Sequence, residues 1–442
     1  MLIKASRTAS DREVLRLAGV LVFGAVLATL DTTIVNVGLG AIAHDLGGPI
    51  SATGWVSTGY LLAVAVVIPL SGWASERFGG RRMWLVSVAL FTAGSALCGL
   101  AWSARSLIAF RILQGLGGGM MQPIGQALFA RAAGPRLGRL IGIVTLPATF
   151  APVLGPVLGG VLVQHLGWRW MFTINVPIGI ATIVAAVRVV PADETHRPGH
   201  RLDVTGLALL SPGLAALVYG LGARNAVALG AGALALAAYG WHSSRARQPL
   251  IDLRLFARRG FAVATGNSFL LGASLYSSML LLPLYYQQVW HASVFDAGLL
   301  LVPQALGSAV ALYFAGRIAE RFGPRAVLLT GVVLALAGTF PFTQQAPAWL
   351  LTVSLLVRGI GLGATTAPGM AAVYAAVERD EVHRAAAVVN VVNRAGGSLG
   401  TAILVTVLEN QGFTTTFWWA LGLSALSLVP AALFPRRSRC AA

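Results

Sequence analysis

The sequence predicts an all-α polytopic membrane protein of about fourteen transmembrane helices, arranged as two six-helix halves with two more helices inserted between them. Three observations carry that expectation: an extreme composition, a one-sided sorting of basic residues, and an internal repeat. The 442 residues are 56% hydrophobic and only 11% charged, with mean hydropathy +0.76. A soluble globular chain carries roughly a quarter charged residues. Apolar runs near 20 residues follow one another almost without pause, each long enough to cross about 30 Å of hydrocarbon.

The expected spans lie near residues 17–40, 52–72, 82–102, 106–130, 138–163 and 169–190. A polar stretch, Pro191 to Asp203, precedes two tight spans near 204–222 and 225–242, and a basic segment runs from Arg245 to Arg259. Six more spans follow near 260–287, 296–316, 325–343, 347–376, 384–408 and 415–434. The domain expectation is therefore a first bundle over 1–190, a loop, inserted pair and basic linker over 191–259, and a second bundle over 260–442. At the start, Lys4, Arg7, Arg12 and Arg16 precede an apolar stretch from Leu17 to Leu39. That is longer than a signal-peptide core of about 7–15 residues and is followed by no small-residue cleavage site, so a retained first helix is expected.

Arginine and lysine test this topology independently. With the first connection placed outside, about 26 basic residues fall on one side and about 3, Arg105, Arg169 and Arg224, on the other. Both termini are then cytoplasmic. The same sorting explains the net charge of +17: the basic residues form short clusters between apolar runs, without the aromatic interleaving of a nucleic-acid surface. Cys98 and Cys440 cannot build a disulfide framework or a cysteine-rich zinc site.

The repeat lies at matching places in the two halves. Gly72 to Arg82 reads GWASERFGGRR, and Gly316 to Arg325 reads GRIAERFGPR. In the first, Gly79 and Gly80 permit the positive φ of a tight turn, and Glu76 offers a partner to Arg77, Arg81 and Arg82. Gly316, Glu320, Arg321, Gly323 and Arg325 repeat the pattern. Arg111 to Gly119 (RILQGLGGG) is echoed by Arg358 to Gly363 (RGIGLG) in the fourth span of each half. Duplicated halves are a secondary-transporter pattern, with the substrate site between them near the midplane.

Asp31, in DTTIVNV, is the acid that falls clearly within the hydrocarbon. A carboxylate there costs about 2.5–3.5 kcal/mol on insertion scales. Two readings stand: a structural aspartate satisfied by Thr32, Thr33 or a buried arginine, and a proton-binding group tuned by burial and a nearby cation. Arg111 cannot shed its proton and needs an acceptor, which makes it the expected counter-charge. Ala151 to Gly160 (APVLGPVLGG) places Gly155 four residues before Gly159, a face for close helix approach, while Pro152 and Pro156 predict a bend. The second half has no midplane acid. Its polar residues include Asn267, Tyr276, Tyr285, Gln304, Asn390 and Arg394, which with Asn36 and Gln122 are candidates for lining a substrate cavity. Scattered polar residues on such helices also serve as interhelical hydrogen bonds.

These motifs resemble the major facilitator superfamily. The repeated loop resembles its motif A, with Glu76 and Glu320 where aspartate is usual, which implies a gating loop that stabilises the outward-open state. Arg111, Gln114 and Gly115 resemble motif B, implicated in proton transfer. Pro152, Gly155, Pro156, Gly159 and Gly160 match the antiporter motif C. DTTIVNV and WRWMFTINVPIG (Trp168 to Gly179) resemble the fourteen-helix drug:proton antiporters of the EmrB/QacA-type branch, in which the aspartate is implicated in coupling. Here the usual proline after DTTIVNV is missing from Gly38-Leu39-Gly40. LPLYYQQVW and NRAGGSLGTA extend the resemblance over nearly the whole chain.

The resemblance implies the major facilitator fold and proton-coupled export of amphipathic drugs or metabolites across a bacterial inner membrane. A facilitator or symporter for one small metabolite is the alternative. The implied partners are a small amphipathic substrate, protons and the lipid bilayer; a periplasmic adaptor and outer-membrane channel are compatible, and nucleic acid is not. No enzyme, cofactor or metal is expected. The seven histidines (His44, His165, His196, His200, His242, His291 and His383) lack ligand spacing, and neither a Walker A nor an H-E-x-x-H pattern occurs.

Overall fold

A hydrocarbon interior offers backbone groups no water, so a spanning segment must satisfy them within itself, and helices result. The computed structural model describes residues 11–46, 50–192, 202–222, 225–246, 249–251, 253–344, 346–378 and 381–434. The described residues form sixteen α-helices. In the first half these are α1 (Asp11–Leu46), α2 (Ile50–Phe78), α3 (Gly80–Gly99), α4 (Ala104–Ala133), α5 (Leu137–His165), α6 (Trp170–Thr173) and α7 (Asn175–Val189). Next come α8 (Val204–Gly222) and α9 (Ala226–Arg245). The second half holds α10 (Arg259–Val289), α11 (Val294–Leu300), α12 (Val302–Phe322), α13 (Pro324–Thr339), α14 (Ala348–Ala375), α15 (Val382–Ala425) and α16 (Leu428–Leu433).

Every expected span overlaps helix, with local differences. The span near 169–190 is split between α6 and α7, and that near 296–316 starts in α11 and continues through α12. The two spans near 384–408 and 415–434 run through α15 into α16, and Gly412, with φ +76°, breaks the helical path between them. Nine stretches among the described residues are long and apolar enough to cross a membrane. One of them, Val382–Leu433, holds both of the last two expected spans, while α4, α5, α8 and α9 fall outside the nine. The chain is thus a multi-pass, all-helical membrane protein.

The pairings repeat between halves. Helix α1 packs on α5 as α10 packs on α15; α2 packs on α4 as α12 packs on α14; α3 packs on α4 as α13 packs on α14. The α8–α9 pair rests on the outside of this arrangement. Ser211 of α8 donates to the Val66 carbonyl of α2 at 2.7 Å, Trp55 stacks on Tyr219 at 5.8 Å, and α8 also touches α15.

Two corners deserve their sequence motifs. Gly79 (φ +93°, ψ 141°) and Gly323 (φ +87°, ψ 149°) hold the same conformation at the starts of α3 and α13. That region is open essentially to glycine alone, so the two repeated loops are alike in backbone as well as in sequence. At the opposite end of the first half, Asp45 accepts from Trp168 Nε1 at 2.8 Å and from Arg169 at 2.7 Å. Arg169 also lies over the Trp168 ring, 4.4 Å from its centroid, and reaches the Ala101 carbonyl. The Trp168 hydrogen bond and then the Arg169 guanidinium hold the Asp45 carboxyl below its usual pKa. The W-R-W motif thus ties the ends of α1 and α3 to the α5–α6 turn.

Alanine at Gly79 or Gly323 must carry a Cβ in a glycine-only region. Each replacement should cost about 1–3 kcal/mol and lower the unfolding temperature of the purified protein. Alanine at Gly54, on a helix with open space around it, is the control for the same thermal measurement.

Candidate functional site

Asp31 is fully buried on α1 and its neighbours arrive from three other helices. Arg111 of α4, 1% exposed, donates to Asp31 Oδ2 through its terminal NH1. The other oxygen, Oδ1, accepts from Gln114 Nε2 at 2.9 Å and from Asn175 Nδ2 of α7 at 3.0 Å. Ser95 of α3 sits behind both amides, accepting from Gln114 at 2.6 Å and Asn175 at 3.4 Å. Arg111 also donates to Gln114 Oε1 (2.7 Å) and the Val56 carbonyl (3.3 Å), and its guanidinium lies 4.1 Å from the centroid of the Tyr60 ring.

Local helix geometry explains how these groups meet. Arg111 and Gln114 are three residues apart and so share one face of α4. Thr32 and Thr33, the other partners the sequence allowed for Asp31, instead bond back to carbonyls of their own helix. The buried arginine is therefore the counter-charge, reinforced by two amides. Charge-assisted hydrogen bonds of this kind are roughly twice as strong as neutral ones. Within this arrangement, protonating Asp31 would cancel the negative charge and leave Arg111 with neutral acceptors only.

Motif C meets the same helix. A Cβ on Gly155 would stand 1.9 Å from Thr33 Oγ1, so a side chain there would push α5 off α1 two residues from Asp31. Gly159 is buried, and around Gly160 a Cβ would meet nothing. The side chains of Pro152 and Pro156 lie outside the described residues, within an α5 that is helical throughout.

A second group of residues joins the two halves at the ends carrying the basic loops. Glu76 of the first loop takes Arg384 of α15 at both oxygens, Oε1 to Nε at 2.7 Å and Oε2 to NH2 at 2.8 Å. Beside it, Arg131 donates to His383 Nε2 at 3.1 Å, and Gly72 lets α2 approach the His383 carbonyl, with 3.4 Å left for a Cβ. Arg81 reaches the Val187 carbonyl of its own half at 2.6 Å. Arg77 ends α2, and Arg82 opens α3. The repeated loop behaves differently: Glu320 is exposed, Arg321 lies over the Phe322 ring, Gly316 is buried and Arg325 sits in the first turn of α13.

The cavity candidates divide. Gln122 accepts from Arg394 at 3.5 Å, and Asn390 donates to Gln126 at 2.7 Å, so these residues meet where α4 faces α15 across the halves. Tyr276 packs inside the second half, against Gly397. Gln304 is taken by Arg358, and Asn267 is buried inside the second half. Tyr285 is 2% exposed in an aromatic cluster with Tyr286, Phe342, Phe413 and Phe417. It is a core residue there, because four rings surround it. The side chain of Asn36 lies outside the described residues.

Sequence reasoning missed Asn175, Ser95 and Tyr60 as neighbours of Asp31, and Arg384 and His383 as partners across the halves. Asn175 was within reach, since it stands in the WRWMFTINVPIG motif. Arg384 registered only as one more inside charge.

The Major Facilitator Superfamily family model matches residues 21–242 and 264–441. A multidrug resistance protein B homolog of Mycobacterium tuberculosis is 40% identical over 418 residues, covering 91% of this chain and 77% of that protein. The tetracenomycin C resistance and export protein of Streptomyces glaucescens is 33% identical over 403 residues, covering 88% of this chain and 74% of that one. Among solved structures, a human organic anion transporter aligns with TM-score 0.70 at 18% identity, covering 95% of this chain and 99% of that chain. A proton:xylose symporter aligns with TM-score 0.65 at 15% identity, covering 95% of each chain. At such identities the two structures speak for the fold alone. Over nearly its whole length, then, this chain belongs to the major facilitator superfamily of membrane transporters.

Proposed function

We propose that this transporter exports amphipathic drugs or metabolites across a bacterial inner membrane, driven by inward flow of protons. The observation that carries the reading is the buried Asp31 carboxylate, held by Arg111, Gln114 and Asn175. The direction of transport rests on the relatives named for multidrug resistance and for tetracenomycin export, together with motif C.

In this reading Asp31 is the proton site and Arg111 its permanent counter-charge. The charged pair ties α1 to α4. Protonation weakens that tie by removing one charge, and removing one partner of a buried pair costs about 3–5 kcal/mol. That energy approaches the roughly 5.5 kcal/mol that converts a 1:99 balance between two orientations of the halves into 99:1. In this reading the Glu76–Arg384 pair, with Gly72, Gly79 and the other loop residues, is the gate that closes the cytoplasmic side. Gln122, Asn390 and Arg394 face the route between the halves.

The topology belongs to the same proposal: fourteen crossings, cytoplasmic termini, bundles over 1–190 and 260–442 as the moving bodies, and 191–259 as the insertion. The proposed partners are the amphipathic substrate, protons and lipid, with an adaptor and outer-membrane channel compatible. Membership of a transporter family speaks against an enzyme.

Cells lacking their own pumps and preloaded with a lipophilic dye should clear it faster when they express this protein. An uncoupler should abolish the gain, and so should Asp31→Asn with the protein still present in the membrane. Full efflux by Asp31→Asn would move proton coupling elsewhere. Reporter fusions at Asp193 should give a cytoplasmic signal, and a periplasmic one would break the helix count. Cysteines at Gly72 and Ala387 should cross-link under mild oxidant and arrest transport. A Cβ on Gly72 would lie 3.5 Å from that of Ala387, at the short end of disulfide geometry. Transport that continues through the cross-linked protein would rule out alternating closure at this face.

A further inference from the structure

The second half repeats the buried arginine of the first without its carboxylate. Arg358 of α14 is 4% exposed. Its Nε donates to Thr339 Oγ1 at 3.0 Å, NH1 donates to Gln304 Oε1 at 2.7 Å, and NH2 donates to Ser278 Oγ. The spacing matches the first half. Ser278 precedes Arg358 by 80 residues, as Asp31 precedes Arg111 by 80. The partners on α12 and α2 agree to within one residue: Gln304 lies 54 before Arg358 and Val56 lies 55 before Arg111. Ser278 therefore stands in the place of the aspartate. Gln114, three residues after Arg111, has Gly361 at the corresponding place after Arg358. Among the described residues, no acidic side chain pairs with Arg358.

A guanidinium has five N–H donors and cannot be deprotonated in a protein. Three donors are used by these neutral oxygens, and the buried positive charge has no opposite charge beside it among the described residues. A lone buried charge of that kind is costly unless it is paired.

A small cavity lies about one helical turn from this centre, and neither Arg358 nor any of its partners lines it. This cavity is lined by Asn267, Ser274, Leu362, Thr365, Ser424 and Ser427, among others. Ser274 lies one turn before Ser278, whose hydroxyl donates to its carbonyl, and Leu362 lies one turn after Arg358. Asn267 is 2% exposed, and its amide Nδ2 has no acceptor. The lining mixes hydroxyls and an amide with the apolar side chains of Leu271, Val332, Ala335 and Leu362, and holds no carboxylate.

We propose that the Arg358 centre is a binding site for a small singly charged anion, which supplies the negative charge that Asp31 provides in the first half. The anion is either a resident halide or the carboxylate of an acidic amphiphile carried as cargo. The proposal stands apart from proton coupling, because it concerns binding in the second half.

The full-length protein in lipid nanodiscs is unfolded thermally in chloride, benzoate or gluconate at constant ionic strength. Chloride or benzoate should raise the unfolding temperature by about 2–4 °C over gluconate, an anion too bulky for the site. Ser278→Asp installs the missing carboxylate and should lose that rise. Arg358→Gln removes the charge and should lose it as well, so either variant suffices if the other does not fold. Asp31→Asn should keep the rise, which separates this site from the proton reading. A rise with chloride alone assigns the site to a resident halide. A larger rise with benzoate, reduced by competing chloride, assigns it to the acidic group of cargo. Equal unfolding temperatures in the three salts, or a rise retained by both second-half variants, would overturn the proposal.

Discussion

The contact on which the rest of the first half depends is the one between Asp31 and Arg111. Two opposite charges in a hydrocarbon interior cannot be left to find water, so the helices carrying them must stay close enough to satisfy both. That requirement brings α1, α3, α4 and α7 to one point, through Asp31, Ser95, Gln114 and Asn175. Each neighbour contributes a donor or acceptor aimed inward, and Tyr60 covers the guanidinium with its ring. A bundle of uniformly apolar helices could settle in many rotations. This network selects one.

The two halves share a frame and differ in what they place on it. Gly79 and Gly323 turn the chain alike, and the helix pairings correspond. Yet Glu76 reaches across to Arg384 while Glu320 faces outward, and Asp31 is answered in the second half by a serine. Duplication conserves backbone and packing, which are expensive to change. Side chains at a few buried positions then separate the roles of the halves.

Much of this was legible in the amino-acid order. Hydropathy placed each expected span on helix, though not always its ends, because the cost of exposing peptide groups to lipid is large and uniform. The Asp31–Arg111 pair could be inferred because each charge needs a partner and few exist. What could not be read was azimuth. A helix that is apolar all round gives no periodic signal for which face meets which neighbour, so Tyr285 passed for a cavity residue although four aromatic rings enclose it. For the same reason Arg384 could not be distinguished from a topology signal, nor Gln304 from a substrate ligand. The turn at Gly412 fell between two expected spans, as glycine permits, but the helical label running through it is a property of the folded chain.

The clearance at Gly155 has a mechanical corollary. Thr33 occupies the volume that any side chain on α5 would need, so at that point the two helices are in contact like the teeth of two gears. Helix α5 in turn lies along α12 and touches α11 and α14, all in the other half. A rotation of α1 by a fraction of an ångström near its buried carboxylate has no slack to disappear into at this crossing. It must be taken up by α5, and α5 leans on the opposite half. The smallest residue in the chain thereby joins the most deeply buried charge to the largest surface of contact between the two bundles.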